Sequence, residues 1–151
     1  MDGIRLDLAK ANLQNYGYKV IETSNCRTNE CGRSSKKEER AKQFNEVIKD
    51  DKVKAIICMA GGDFLLEMLP DVKFYAIKEN YKWIQGYSDP TGILYAITTN
   101  LDIATIYGEN FKSFAMRPFH KSLENNLKIL EGKGIIQNSF EMYEDESIIC
   151  S

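Results

Sequence analysis

The feature of the sequence that most constrains the fold is a short apolar run that ends in two glycines. Residues 55–60 read Ala-Ile-Ile-Cys-Met-Ala, and Gly61 and Gly62 follow directly. A continuous apolar run of this length is typical of a strand buried on both faces, as in a parallel sheet covered by helices. The run therefore predicts an α/β fold in which the glycine pair follows the carboxyl end of a buried strand.

The rest of the chain alternates between helical and strand patterns, which is typical of a parallel α/β fold. Residues 23–35 are polar, contain glycine and have no period, so they are expected to form a loop. The predicted helices cover residues 6–16, 36–48, 64–69, 74–80, 91–101 and 123–130, and the predicted strands cover 20–21, 55–60, 82–87 and 103–107.

Three local signals concern the ends of these elements. Gly17 is expected to end the first helix in the left-handed conformation. Ser35 and Glu38 have the spacing of a capping box, in which each side chain accepts a hydrogen bond from a free backbone N–H at the helix start. The first recognisable element is a helix, whereas doubly wound domains usually open with a strand. The sheet is therefore expected to lack its first strand.

Length and charge restrict the class of protein. The 151 residues suffice for one domain with a real core, and a net charge of −2 gives no basic surface for nucleic acid. No apolar run approaches the roughly 18 residues of a membrane span. The start of the chain has no signal-peptide pattern, so a cytoplasmic location is expected.

The cysteines are expected to be unpaired thiols. Cys26, Cys31, Cys58 and Cys150 do not have the paired Cys-x-x-Cys spacing of zinc sites, so no metal site is expected. Cys58 lies inside the apolar run, where a reduced cysteine behaves as a small hydrophobe. Unpaired thiols fit a reducing compartment.

Chemistry is expected at the junction between the strand at 82–87 and the helix that follows. The sequence Gly86-Tyr87-Ser88-Asp89-Pro90 joins them, which is the context of a nucleophile elbow, a tight turn that lifts a serine above the strand ends. The helix would direct the positive end of its dipole at Ser88. The motif alone is weak, because Pro90 replaces the second glycine of G-x-S-x-G, and a plain N-cap serine is the alternative.

Gly61-Gly62-Asp63 is the second candidate, because its N–H groups would face the crevice at the carboxyl ends of the strands. One interpretation is an oxyanion donor that acts together with the N–H of Asp89. An ordinary strand-to-helix turn is the alternative. His120 is the only histidine, and it is expected on the surface near the start of the last helix rather than as a catalytic base.

Three motifs together resemble the N-terminal domain of the LD-carboxypeptidase family, and more closely its microcin-immunity branch. They are Ala-Gly-Gly-Asp at 60–63, Trp-Ile-Gln-Gly-Tyr-Ser-Asp-Pro-Thr at 83–91 and Ile-Tyr-Gly-Glu-Asn-Phe at 106–111. The similarity extends from about residue 6 to about residue 130. The resemblance implies a flavodoxin-like parallel sheet with helices on both faces. The nucleophile domain would span residues 1–138, followed by an acidic tail at 139–151.

The resemblance also implies a function, which is hydrolysis of an amide bond through an acyl-enzyme. The substrate would be a small cell-wall peptide or a peptide-nucleotide antibiotic, with no metal or organic cofactor. In this family the catalytic histidine and its glutamate belong to a C-terminal domain that is absent here, so the chain is expected to be inactive alone. The implied site residues are Ser88 as nucleophile, Gly62 and Asp89 as oxyanion donors, and Gly61, Asp63 and Asn110 as substrate contacts.

Two other classes of function stay open at this point. A nucleotide-binding module could use Gly61-Gly62 as a phosphate turn, although no G-x-G-x-x-G or P-loop follows any strand. A non-catalytic module could associate through the face where the absent parts would dock, and it could form a homo-oligomer. Exposed apolar surface on that face would indicate the second class.

Overall fold

Three short parallel strands form the centre of the structure, a computed structural model that describes residues 3–136. The strands are β1 (Ala55–Ile57), β2 (Trp83–Gly86) and β3 (Ile106–Tyr107), and they lie in the order β1-β2-β3. Both pairs are parallel, with Ile56 opposite Ile84 and Gln85 opposite Ile106. The prediction of a parallel α/β fold is therefore confirmed.

Within the described residues, five α-helices and three short 3-10 helices connect and flank the strands. The α-helices are α1 (Gly3–Asn15), α2 (Lys37–Lys49), α3 (Phe74–Glu79), α4 (Thr91–Leu101) and α5 (Lys121–Leu130). The 3-10 helices are Ser24–Arg27, Leu65–Asp71 and Phe111–Ala115. No helix within residues 3–136 is long and apolar enough to cross a membrane.

The helices cover both faces of the sheet, because neighbouring residues of a strand point to opposite faces. Ile56 and Ile84 pack into a cluster formed with α2, α3 and α4. Ile57 packs on the opposite face, against a cluster formed by α1, α5 and the 3-10 helix at 111–115. This two-sided arrangement confirms the expectation of helices on both faces. The buried members of the second cluster are Ala9, Leu13, Phe114, Leu123 and Leu127.

The predicted ends of elements are confirmed in one case and wrong in others. Gly17 is left-handed (φ 89°), as predicted. The capping box at Ser35 was wrong, because α2 begins at Lys37 and its N-cap is Lys36, one residue later than the box requires. The hydroxyl of Ser35 is buried and has no hydrogen-bond partner. The expected strand at 20–21 is also absent, since no described strand lies beside it to form a ladder.

Strand β1 is shorter than the predicted run because its carboxyl end leaves the ladder. The carbonyl of Cys58 accepts a hydrogen bond from the N–H of Phe111 (2.9 Å), and that of Met59 accepts one from Lys112 (3.2 Å). The start of the 3-10 helix at 111–115 thus replaces a neighbouring strand at this point. The apolar residues after Ile57 are held by this crossing segment rather than by the sheet.

The described cysteines are free thiols. Cys26, Cys31 and Cys58 form no disulfide. Cys150 and the acidic tail at 139–151 lie outside the described residues, and so do the last residues of the proposed domain at 1–138.

A buried pair of amides fixes β2 to α5. Nε2 of Gln85 donates a hydrogen bond to the side-chain oxygen Oδ1 of Asn126 (2.8 Å). In return, Nδ2 of Asn126 donates to the side-chain oxygen Oε1 of Gln85 (2.9 Å). Gln85 also donates to the backbone carbonyl of Glu109 (2.6 Å). Gln85 is fully buried and Asn126 nearly so, so each amide depends on the other for its hydrogen bonds.

Asn126→Ala is expected to lower the free energy of unfolding by about 1–3 kcal/mol, the cost of leaving a buried polar group unsatisfied. Urea denaturation followed by circular dichroism measures this loss. Asn125→Ala is the matched control on the same helix, because no hydrogen bond of its side chain is part of the pair. Equal losses in the two variants would show that the amide pair contributes nothing of its own.

Candidate active site

Ser88 lies in a strained turn between β2 and α4, as the sequence predicted. Its φ of 66° is in the left-handed region, where a residue other than glycine costs of order 1–3 kcal/mol. Its carbonyl accepts the N–H of Thr91 (2.9 Å), and the carbonyl of Asp89 accepts the N–H of Gly92 (3.2 Å). These bonds hold the turn against the first turn of α4, and Ser88 remains exposed.

Position 86 requires glycine because there is no room for a side chain, not because of its backbone conformation. A Cβ atom at this position would lie 2.7 Å from Cβ of Pro90 and 3.0 Å from Cβ of Cys58. It would also lie 3.0 Å from Oδ1 of Asn110. Three chain segments therefore meet at the last residue of β2, directly before the serine turn.

Gly61, Gly62 and Asp63 form a loop after β1 that we call the glycine loop. It lies against the turn at Ser88 and Asp89, which we call the serine turn. A Cβ atom on Gly61 would be 3.1 Å from both Cβ and Oγ of Ser88. A Cβ atom on Gly62 would be 3.3 Å from Oδ2 of Asp89. The structure thus brings Gly61, Gly62, Ser88 and Asp89 together, although 25 or more residues separate the two pairs in sequence. Gly61, Gly62 and Asp63 are exposed.

The carboxylate of Asp89 ties the two loops together. Its Oδ2 accepts hydrogen bonds from the backbone N–H groups of Phe64 (3.1 Å) and Leu65 (2.9 Å). These are the donors that an anion would use at the start of the 3-10 helix at 65–71. A carboxylate already occupies them, so the arrangement does not favour the use of Gly61-Gly62 as a phosphate turn.

Asn110 holds the backbone that carries the serine. The N–H of Tyr87 donates to its Oδ1 (3.2 Å), and its Nδ2 donates to the carbonyl of Tyr87 (3.2 Å). Asn110 is only 3% exposed. Its predicted contact with a substrate stays a prediction, and the contacts that the structure provides are those of a positioning residue.

A polar cluster packs behind the glycine loop, and sequence reasoning missed it. The guanidinium of Arg33 lies 3.6 Å from the ring centroid of Phe64 and is ion-paired with Glu67 (2.6 Å). Arg40 is ion-paired with the other oxygen of Glu67 (2.7 Å). The hydrogen bond from Arg33 lowers the pKa of Glu67. No short-range pattern could have revealed a cluster whose members come from three separate elements.

His120 is the N-cap residue of α5 and is exposed, as expected. Its Nδ1 accepts the backbone N–H of Ser122 (3.2 Å) and lies 2.8 Å from the Ser122 hydroxyl. This local bonding fits a helix-capping residue. Among residues 3–136, no cluster of three or more His, Cys, Asp or Glu side chains could hold a metal ion.

A serine in a left-handed turn between a parallel strand and a helix, beside the glycine loop that follows the neighbouring strand, has the form of a nucleophile elbow. Comparison with known families identifies the family. The family model of the LD-carboxypeptidase N-terminal domain matches residues 2–108. The chain belongs to the LD-carboxypeptidase family of serine peptidases, which confirms the resemblance found in the sequence.

The relatives include both carboxypeptidases and an immunity protein. The microcin C7 self-immunity protein MccF of Escherichia coli is 34% identical over 142 residues, which are 90% of this chain and 41% of MccF. A candidate carboxypeptidase of Vibrio cholerae is 34% identical over 104 residues, which are 69% of this chain and 31% of that protein. The chain thus spans less than half the length of these relatives.

Solved structures agree with the fold. MccF in complex with aspartyl sulfamoyl adenosine matches with a TM-score of 0.80 at 32% identity, over 83% of this chain and 38% of that one. A muramoyltetrapeptide carboxypeptidase from Oxalobacter formigenes matches with a TM-score of 0.74, over 86% of this chain and 44% of that one. Its identity is 22%, so this second match supports the fold alone.

The strain at Ser88 predicts an unusual order of stabilities. Ser88→Gly is expected to be more stable than Ser88→Ala by about 1 kcal/mol, because glycine adopts the left-handed conformation without the Cβ penalty. Thermal and urea unfolding of the two variants measure this difference. The same pair of changes at Ser113, whose φ is not positive, is the control and should give the opposite order. If Ser88→Ala is the more stable variant, the turn is not strained.

The environment of Cys58 predicts selective thiol chemistry. Burial raises the pKa of Cys58 to about 12, with a smaller contribution from Asp89, whereas Cys31 is exposed. Because the thiolate is the reactive form, iodoacetamide at pH 8 should modify Cys31 much faster than Cys58. Mass spectrometry of the native protein at short times measures both rates. Thiol titration after denaturation, without reductant, should count four; equal native rates would show that Cys58 is accessible.

Proposed function

We propose that this chain supplies the nucleophile half of a serine peptidase, with Ser88 as the attacking residue. The observation that carries the proposal is the close approach of the Gly61 backbone to Ser88. The turn that contains Ser88 leads directly into α4. A hydroxyl in this position is exposed to substrate and lies near the positive end of the helix dipole. The alternative of a plain N-cap serine does not account for the left-handed φ of Ser88.

The reaction proposed is hydrolysis of an amide through an ester intermediate. The Oγ of Ser88 attacks the amide carbon and gives up its proton, and the tetrahedral intermediate carries the charge on the former carbonyl oxygen. The C–N bond then breaks, and the amine leaves with a proton. Water hydrolyses the ester and releases the acid, which restores the hydroxyl of Ser88.

The backbone N–H groups of Gly62 and Asp89 are the proposed oxyanion donors. Such donors are effective when they are fixed before the reaction begins, and loss of one typically costs about 10²–10³-fold in rate. Two side chains supply this rigidity here: Asp89 ties the glycine loop to the serine turn, and Asn110 clamps Tyr87. Gly61 and Asp63 are the proposed substrate contacts, because both are exposed and Gly61 lies beside Ser88.

The base that accepts the proton of Ser88 is proposed to come from outside residues 3–136. Family resemblance assigns it to a histidine with its glutamate in a C-terminal domain, and the chain covers only 31–41% of the length of two relatives. His120 caps α5 and is not proposed as the base. The chain alone is therefore proposed to be inactive. Separately, its location is proposed to be cytoplasmic.

The substrate is proposed to be the amide of a small peptide, in a cell-wall fragment or in an aminoacyl nucleotide. Support for the second comes from MccF, which has been solved in complex with aspartyl sulfamoyl adenosine and with glutamyl sulfamoyl guanosine. Support for the first comes from the relatives named as carboxypeptidases, one of them for murein peptides.

The isolated chain is expected to show no turnover on a cell-wall tetrapeptide or an aminoacyl phosphoramidate of adenosine. The reason is that a serine hydroxyl is a poor nucleophile at neutral pH without a positioned base. Chromatographic assays of the wild type, Ser88→Ala and His120→Ala measure this directly. A wild-type rate of about 1 s⁻¹ or faster, typical of enzymes, would contradict the proposed inactivity if either substitution abolished it.

The role of Ser88 needs a chain that contains a base. A chimera in which residues 3–136 replace the matching part of MccF is expected to hydrolyse the aminoacyl nucleotide. Ser88→Ala should lower its rate at least 10³-fold, whereas Ser113→Ala, the control, should leave the rate nearly unchanged. A folded chimera that is inactive, or one that retains activity without Ser88, would overturn the proposed nucleophile.

A further inference from the structure

One peptide group behind the glycine loop is held from both sides. It joins Phe64 to Leu65, at the start of the 3-10 helix at 65–71. Its carbonyl oxygen accepts a hydrogen bond from Nη1 of Arg40 (2.8 Å). Its N–H, which belongs to Leu65, donates to Oδ2 of Asp89 (2.9 Å). Because a trans peptide group is planar and its C=O and N–H point in opposite directions, Arg40 and Asp89 bind opposite ends of one rigid unit.

The charges of these two side chains match the dipole of the peptide group. Each peptide group carries a dipole of about 3.5 D, negative at the oxygen and positive at the N–H. The guanidinium of Arg40 binds the negative end, and the carboxylate of Asp89 binds the positive end. Hydrogen bonds to charged groups are roughly twice as strong as neutral ones. A rotation of this peptide plane would therefore break two strong bonds together.

Arg40 is itself fixed in place. It lies in the first turn of α2, and its side chain is 10% exposed. Its Nη2 donates to Oε2 of Glu67 (2.7 Å), and Arg33 binds the same carboxylate through Nε and Nη2. The guanidinium of Arg33 also covers the ring of Phe64. Helix α2, the 3-10 helix at 65–71 and the loop at 23–35 thus meet at Phe64.

Stability alone does not explain an arginine at position 40. The Nε atom of Arg40 is buried and has no hydrogen-bond partner among the described residues. A buried N–H without a partner is costly, and apolar side chains of similar volume often replace buried ion pairs without loss of stability. Glu67 would keep its ion pair with Arg33 after such a replacement. The carbonyl of Phe64 would keep only the longer bond from the N–H of Glu67 (3.3 Å). The interaction lost would be the hold on the peptide plane.

We propose that Arg40 is a positioning residue for the oxyanion donors, an inference that rests on the function proposed above. Gly62 lies two residues before Phe64, and a Cβ atom on Gly62 would be 3.3 Å from Oδ2 of Asp89. The same oxygen atom accepts the N–H groups of Phe64 and Leu65. The plane that Arg40 holds therefore sets the position of the glycine loop relative to the serine turn. Arg40 acts through this plane and not by contact with the substrate.

The first test uses the full chain and hydrogen exchange followed by NMR. Arg40→Met should speed exchange at the amides of Phe64 and Leu65 at least tenfold, because their plane is no longer held against its acceptor. The amide of Ile84, which is buried in the central strand, should change less than twofold. Arg27→Met is the matched control, since this arginine also pairs with two carboxylates but is exposed, and it should change none of these rates. Unchanged exchange at Leu65, or equal acceleration at Ile84, would overturn the proposal.

The second test measures kcat and KM in the chimera with MccF. Arg40→Met should lower kcat at least tenfold and leave KM within twofold, because only stabilisation of the transition state depends on donor position. Arg40→Lys should retain more of kcat than Arg40→Met, since its ammonium can still donate to the carbonyl of Phe64. Arg27→Met should leave both constants unchanged. A kcat within twofold of the parent chimera in Arg40→Met would contradict the positioning role.

Ser88→Ala in the same chimera separates this proposal from the proposed function. Retained activity in Ser88→Ala would overturn both, whatever the exchange at Leu65. Loss of activity in Ser88→Ala together with an unchanged kcat in Arg40→Met would overturn the role of Arg40 alone. If the chimera does not fold, the exchange rates in the full chain decide. If Arg40→Met does not fold, Arg40→Lys replaces it, and Leu65 should still exchange at least threefold faster, because lysine lacks the fork that binds Phe64 and Glu67 together.

Discussion

The site depends on one strand, β2, that is paired on both of its edges. Because β1 and β3 run parallel to it, the segments that follow the three strands emerge at the same edge of the sheet. This brings the glycine loop after β1, the serine turn after β2 and Asn110 after β3 into contact. The buried amide pair between Gln85 and Asn126 then fixes β2 to the helix layer beneath it. Displacement of β2 would move Ser88 and Asp89, which follow it, relative to the glycine loop and Asn110.

The same contacts explain how a strained serine can persist. A left-handed residue other than glycine costs of order 1–3 kcal/mol and persists only where its surroundings determine its conformation. Here the chain is packed so tightly at Gly86 that a side chain would not fit there. After the turn, the N–H of Thr91 in α4 donates to the carbonyl of Ser88. Asn110 binds both the N–H and the carbonyl of Tyr87. The strain is consistent with a turn shaped for chemistry, since a serine that only caps a helix has no need of it.

The two edges of the glycine loop differ in how well they are supported. Toward β2 it is held by the carboxylate of Asp89, and from behind by Phe64 and the ion-paired Arg33. On the other side, β1 has no neighbouring strand among the described residues. The position of Gly61 and Gly62 therefore depends on the hydrogen bonds to Asp89 and on the packing around Phe64.

The sequence by itself determined the fold class, the strand-to-helix position of Ser88 and the need for glycine at Gly17, because apolar period and turn chemistry are local properties. The family resemblance rested on motifs at 60–63, 83–91 and 106–111, which the structure brings to one edge of the sheet. Only the tertiary structure decided that Asp89 binds the N–H groups of residues 64 and 65 and that Arg33 packs on Phe64. It also decided the failure of the strand at 20–21, since a strand needs a partner along its edge. These outcomes depend on which distant segments meet, and no local pattern encodes that.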